Sequence, residues 1–126
     1  MYCITIQDNH YNKINYLSYL PVGLGKNIFS SKFILDNKGK NISHKNPFYG
    51  EYSFHYWLWK NEIANFKENE WIGFCQYRKF WSIYPQKKDY KNLDELNKTL
   101  VKSIPNKFNK FEAILGEPLF VNQIKF

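Results

Sequence analysis

The chain has 126 residues, enough for one domain with one core and too few for two ordinary domains. Aromatic residues make up 20% of it, which excludes wholesale disorder. A formal net charge of +7 suits polyanions, anionic lipid surfaces or phosphorylated ligands, and selects none of them.

Tyr2 to Ile6 is short, rich in β-forming residues, and reads as a first strand. Asp8-Asn9-His10 follows as a turn. Ile14 to Leu20 is aromatic and apolar, and leaves strand and loop open. Pro21, Gly23 and Gly25 break any regular element there. Lys32 to Leu35 suits a short strand running into Asp36-Asn37-Lys38-Gly39-Lys40-Asn41, a strong turn signal. Asn46 can cap a helix, and Pro47 fits its first position, where no amide partner is lost. That helix is predicted from Pro47 to about Phe66, with Phe48, Tyr52, His55, Trp59 and Ile63 on one face. Asn65 to Asn69 is a polar loop. Trp71 to Gln76 is an apolar run that suits a buried strand. Tyr84 to Tyr90, containing Pro85, is a polar loop. Leu93 to Ile104 is a second predicted helix, with Leu93, Leu96, Leu100 and Ile104 on one stripe. Phe111 to Leu115 reads as a further strand, closed by Gly116 and Pro118. Strands alternating with helices predict an α/β fold, a mainly parallel sheet with flanking helices.

Cys3 and Cys75 lie in strand-like runs, with neither metal-ligand spacing nor a disulfide framework. Buried free thiols in a reducing compartment are expected. No charged-then-apolar leader opens the chain, and no apolar stretch approaches the roughly 20 residues that cross a bilayer. The expected location is cytoplasmic, with room for docking at the cytoplasmic face of the membrane.

The chemical signals are few. No glycine-rich phosphate loop, Ser-His-Asp arrangement or Asp-x-Asp pair occurs. His10, His44 and His55 lack metal-ligand spacing, and no metal or other cofactor is expected. Asp89 is isolated in a polar loop, and Asp94 with Glu95 favours the positive end of a helix. Gln76-Tyr77-Arg78-Lys79 stands out, because it ends the apolar run and holds the chain's only arginine. Ligands in open α/β sheets sit beyond the carboxyl ends of strands, and a guanidinium there can grip a phosphate with two parallel hydrogen bonds. The plain alternative is a pair of solvated charges after a core strand. Glu51, in the first turns of an aromatic helix, suits helix-dipole stabilisation or a role in a site.

Three segments, taken in order, resemble a known family. Asp36 to Glu51 resembles the pattern Asp-x-x-Gly-x-Asn-Ile-Ser-x-x-Asn-x-x-Tyr-x-Glu. Tyr56-Trp57-Leu58-Trp59-Lys60-Asn61 resembles Tyr-Trp-x-Trp-Lys-Asn. Ile72 to Phe80 resembles Ile-Gly-x-x-His-Tyr-Arg-Arg-Tyr. These are the motifs of the bacterial domain-of-unknown-function family numbered 4422, whose members are described as glycosyltransferases of capsular and other surface polysaccharides. The resemblance is specific from about Leu35 to Phe80 and loose outside it. Gln76 stands where the family has His, and Lys79 where it has Arg. An amide can hydrogen-bond but cannot replace a proton donor or acceptor.

The resemblance implies a nucleotide-sugar transferase of the Rossmann-like, GT-A type. The single domain, residues 1–126, corresponds to the donor-binding, amino-terminal half of longer relatives. It implies a nucleotide-sugar donor, a glycan or lipid-linked acceptor, and a place in capsule or lipopolysaccharide synthesis. Arg78 and Lys79 would neutralise the departing diphosphate without a metal. Gln76 and Tyr77 would contact the donor, Asp36 and Asn41 would take ribose or sugar hydroxyls, and Glu51 is the candidate catalytic base. Two rivals stand beside this: an inactive transferase remnant, and a basic aromatic module for single-stranded nucleic acid. Against the latter, the aromatics follow helix and strand periods, so no nucleic-acid partner is expected.

Overall fold

A computed structural model describes residues 1–82, 84 and 90–116. Among these residues, four strands form one all-parallel sheet: β1 (Tyr2–Thr5), β2 (Leu20–Gly23), β3 (Ile34–Leu35) and β4 (Phe74–Gln76), in spatial order β3-β2-β1-β4. The helices are α1 (Tyr11–Tyr16), α2 (Asn46–Tyr49), α3 (Tyr52–Asn61) and α4 (Leu93–Thr99). The α/β class and the parallel sheet are as the sequence implies.

β1 is the central strand, and alternate side chains of a strand face opposite ways. Cys3 therefore enters one apolar cluster with Ile14, Leu17 and Leu100, around α1 and the end of α4. Ile4 enters another with Val22, Phe54, Trp57 and Leu58, around α3. Helices thus cover both faces, the condition under which short parallel strands are stable. Cys3 and Cys75 are register partners on β1 and β4, and both thiols are free and buried.

Several elements differ from the sequence expectations. The segment left open between strand and loop begins as α1, continued by a reversal into β2. Ser18 takes the left-handed conformation (φ 59°) there. Its N–H bonds Asn15 O and the Tyr19 N–H bonds Ile14 O, a Schellman closure that sends the chain back into the sheet. Pro21, expected to break regular structure, lies inside β2. The amides of Leu20 and Leu24 point to β1, bonding Met1 O and Thr5 O, so alternation turns the Pro21 nitrogen the other way. β3 pairs only with Val22 and Gly23, so no ladder bond is lost at Pro21.

The helix expected from Pro47 to Phe66 is divided. Gly50 adopts φ 53°, ψ −128°, a conformation that stops α2 and lets α3 start afresh. Asn46 does not cap; it is the first residue of α2, and its side chain bonds Gly50 O (2.8 Å) and Ser53 Oγ (3.1 Å). The buried face of α3 is Ser53, Phe54, Trp57 and Leu58, whereas Phe48, Tyr52, Trp59 and Ile63 are exposed. Apolar residues surround this helix, so periodicity alone does not select a side. Ser53 selects it, because its hydroxyl has a buried partner only toward the sheet.

α4 begins at Asn92, whose side chain caps the Glu95 N–H at 2.9 Å. It ends at Thr99 rather than Ile104, because Leu100 turns extended, buries itself and bridges Ser82. Phe111 to Leu115 forms no strand; Phe111 and Leu115 face solvent, so the segment buries no apolar face against the sheet. Pro85, Asp89 and Pro118 lie outside the described residues.

Candidate functional site

All four strands are parallel, so their carboxyl ends share one edge of the sheet. From β1 the chain moves outward to β2 and β3, then returns to place β4 on the opposite side of β1. The connections after β1 and β4 therefore diverge, and a crevice opens between them. Here it has a volume of about 220 Å³. Ile4, Thr5 and Ile6 form its β1 side, and Gln76, Tyr77 and Arg78 its β4 side. Asn46, Gly50 and Glu51, from the junction of α2 and α3, close the third side.

Arg78 is presented by a tight turn. Gln76 and Lys79 exchange both backbone hydrogen bonds, each at 3.1 Å, leaving Tyr77 and Arg78 at the apex. The Tyr77 N–H bonds Ile4 O, and Lys13 Nζ donates to Tyr77 O at 3.1 Å, so the apex is tied to β1 and α1. The Tyr77 ring stacks on His10 with centroids 4.0 Å apart and planes 13° apart. The Arg78 guanidinium lies 5.8 Å from the Tyr77 ring centroid. His10 Nδ1 is 2.6 Å from Thr5 Oγ1. Burial, helped by the Lys13 charge, lowers the His10 pKa, so the imidazole is neutral near pH 7.

Glu51 follows Gly50 immediately, and its Oε1 accepts a hydrogen bond from Gln76 Nε2. Gln76 thus bonds the acid with its side chain while its main chain closes the Arg78 turn. Gly50 is what allows Glu51 to reach the crevice, since a continuous helix would carry it along a different face.

Of the seven site residues picked from the sequence, Glu51, Gln76, Tyr77 and Arg78 meet at this crevice. Lys79 stands at the base of the turn, outside the lining. Asp36 is 1% exposed. Its Oδ1 accepts the Gly25 N–H (3.1 Å) and its Oδ2 the Ser53 hydroxyl (2.5 Å). Ser53 in turn accepts from Asn46, so Asp36 braces the crevice wall from behind. Asn41 folds onto its own loop, donating to Asn37 O and Gly39 O and accepting from Ser43.

The same contacts explain why two of the sequence motifs travel together. Trp57 Nε1 donates to Lys38 O at 2.7 Å, and Asn61 exchanges bonds with the Lys40 N–H and carbonyl. Gly39, at φ 59°, leaves room for Asn61 that any Cβ would fill. The Trp-Lys-Asn helix therefore clamps the Asp36–Asn41 loop. His10, Thr5, Lys13 and Asn46 were missed as site residues. Three of them lie at or just beyond the carboxyl end of β1, the signal that could have found them.

Among the described residues, no three His, Cys, Asp or Glu side chains stand close enough to share a metal ion. No described helix is long and apolar enough to cross a membrane.

Fold and crevice define an α/β domain of the doubly wound kind, with a pocket at the point where strand order reverses. Residues 1–123 match the family described as Domain of unknown function (DUF4422), and the chain belongs to it. That match extends on both sides of the Leu35–Phe80 stretch carrying the motifs. The chain matches no curated protein and no solved structure.

Proposed function

We propose that this domain binds a nucleoside-diphosphate sugar in the switch-point crevice and serves glycosyl transfer in bacterial surface polysaccharide synthesis, of capsule or lipopolysaccharide. The observation that supports this is the guanidinium of Arg78 held at the apex of a rigid turn beside the crevice. A planar, five-donor cation matches phosphate oxygens with parallel hydrogen bonds.

In the reaction, the oxygen of an acceptor hydroxyl bonds to the anomeric carbon of the donor sugar. The bond from that carbon to the diphosphate oxygen breaks, and the nucleoside diphosphate leaves with the electron pair. Arg78 compensates its growing charge. Glu51 takes the hydroxyl proton, held in place by Gln76. Tyr77, in the crevice lining beside Arg78, contacts the donor. Asp36 and Asn41 enter as supports of the wall and its loop rather than as contacts. A glycan on a lipid carrier as acceptor would bring the domain to the cytoplasmic membrane face.

Calorimetry with UDP and with GDP, each with and without chelator, tests this reading. Arg78→Ala is expected to weaken binding about 10- to 100-fold, the worth of a charge-assisted hydrogen bond. Unchanged affinity in that variant overturns the role of Arg78, and loss of wild-type binding on chelation overturns its metal-free form. Tight, steeply salt-dependent binding of an oligonucleotide with no nucleotide binding favours the nucleic-acid module instead.

A further inference from the structure

A second hollow, of about 530 Å³, opens along α2 and the first turn of α3. Its size falls within the roughly 300–1,000 Å³ of ordinary ligand sites. It shares two residues with the crevice, Gly50 and Glu51, so one stretch of backbone separates the two.

Its chemistry differs from that of the crevice. Phe48, Tyr49 and Tyr52 line it and are 88, 50 and 67% exposed. Three large rings open to solvent on neighbouring turns form a patch that ordinary surfaces avoid. His55 lines it too, one helical turn beyond Glu51. The imidazole packs on Phe74 (centroids 4.3 Å apart) and Tyr52 (5.6 Å), and its Nε2 is buried away from solvent with no hydrogen-bond partner among the described residues. Among the described residues, no lysine or arginine is in the lining. The hollow therefore offers flat apolar faces with a carboxylate and an imidazole beside them, and no cation for a phosphate. A ligand suited to it is uncharged, apolar on its faces and edged with hydroxyls. A pyranose ring has that character: C–H groups cover its faces and hydroxyls its rim.

We propose that this aromatic hollow is the acceptor subsite, seating a neutral pyranose of the glycan acceptor on Phe48 and Tyr52 with one hydroxyl turned to Glu51. This rests on reading the adjoining crevice as the donor site. Glu51 belongs to both linings, so a hydroxyl seated in the hollow reaches the base from the side opposite the donor. The hydroxyl oxygen forms the new bond to the anomeric carbon. Its proton passes to the Glu51 carboxylate, and the nucleoside diphosphate departs on the crevice side with the bonding electrons.

The test is saturation-transfer NMR on the full chain, with methyl β-glucopyranoside, methyl β-galactopyranoside and chitobiose as probes. Irradiating aromatic protons of the wild type is expected to saturate the C–H protons of at least one probe. Phe48→Ala with Tyr52→Ala should weaken that binding roughly tenfold, at two partly lost ring contacts. Both side chains are exposed, so the fold survives, and UDP or GDP affinity stays unchanged. Saturation undiminished in the double variant, or absent from the wild type while nucleotide binds, overturns the subsite and leaves the donor reading standing. Probe binding lost in the double variant, with no nucleotide bound by the wild type, leaves a glycan-binding hollow and sinks the transferase reading. If the wild type sediments as a dimer and the double variant as a monomer, the face is a contact between copies and the subsite is refuted.

Discussion

At Gln76 a single amide holds the acid beside it in place. Nε2 donates to Glu51 Oε1. Gln76→Glu places two carboxylates in contact, and like charges raise the affinity of the pair for a proton. The folded variant then binds a proton more tightly than the unfolded chain. Its stability is accordingly retained below the ordinary carboxylate pKa and lost as pH rises through the pair's raised value. The expected result is a loss of about 1 kcal/mol at pH 7, fading near pH 4, with both side chains only partly buried. Thermal melts of wild type and variant across pH measure it; equal melting at pH 7 refutes the contact. Arg78 and Gln76 were legible in the sequence because a polar group ending an apolar run occupies a strand end. Asp36, read from the sequence as a contact for ribose or sugar hydroxyls, is buried instead. A carboxylate in a polar turn looks solvated until the Gly25 amide and the Ser53 hydroxyl arrive from distant positions.

The α2–α3 junction decides where several of these groups point, and one glycine makes it. At φ 53°, ψ −128°, residue 50 needs glycine, and a Cβ there would meet nothing within 4 Å. Gly50→Ala therefore introduces backbone strain without a clash, a cost of about 1–3 kcal/mol. Urea unfolding should show that loss, together with weaker nucleotide binding as Glu51 swings off the crevice. A variant as stable as wild type refutes the assigned conformation. The sequence pattern showed helix on both sides of this glycine and missed the break, since an isolated glycine is tolerated in helices. It also chose the wrong stripe of α3, because Phe, Tyr and Trp occur around its whole circumference. Pro21 misled in the opposite sense: a proline argues against a strand unless its nitrogen faces an unpaired edge, and only the register reveals that.

At the scale of the molecule, the α/β class was legible because apolar runs alternate with helical periods. Strand order was not, since nothing local records which side of β1 a returning strand will join. The assembled layers fix the pH response. Burial lowers the pKa of both His10 and His55, although Glu51 opposes the shift at His55. The unfolded chain therefore takes up protons, near pH 6.5, before the native one does. Stability from these groups is full above that pH and declines as pH falls toward the lowered native values. Melting temperature should drop as pH falls below about 6.5, and His10→Gln with His55→Gln should flatten that slope. A slope unchanged by the two substitutions rules out this account.

The register of β1 has a consequence for synthesis. Cys3 pairs with Pro21 on one side and with Cys75 on the other, so one flank of the strand is completed early and the other after most of the chain has been made. A nascent polypeptide leaving the ribosome can zip β1 to β2 at once. It must hold the opposite edge of β1 open until Phe74–Gln76 emerges. The crevice is complete only with that last strand, so the proposed nucleotide binding is expected only then, and binding to stalled chains of increasing length would date the moment the sheet closes.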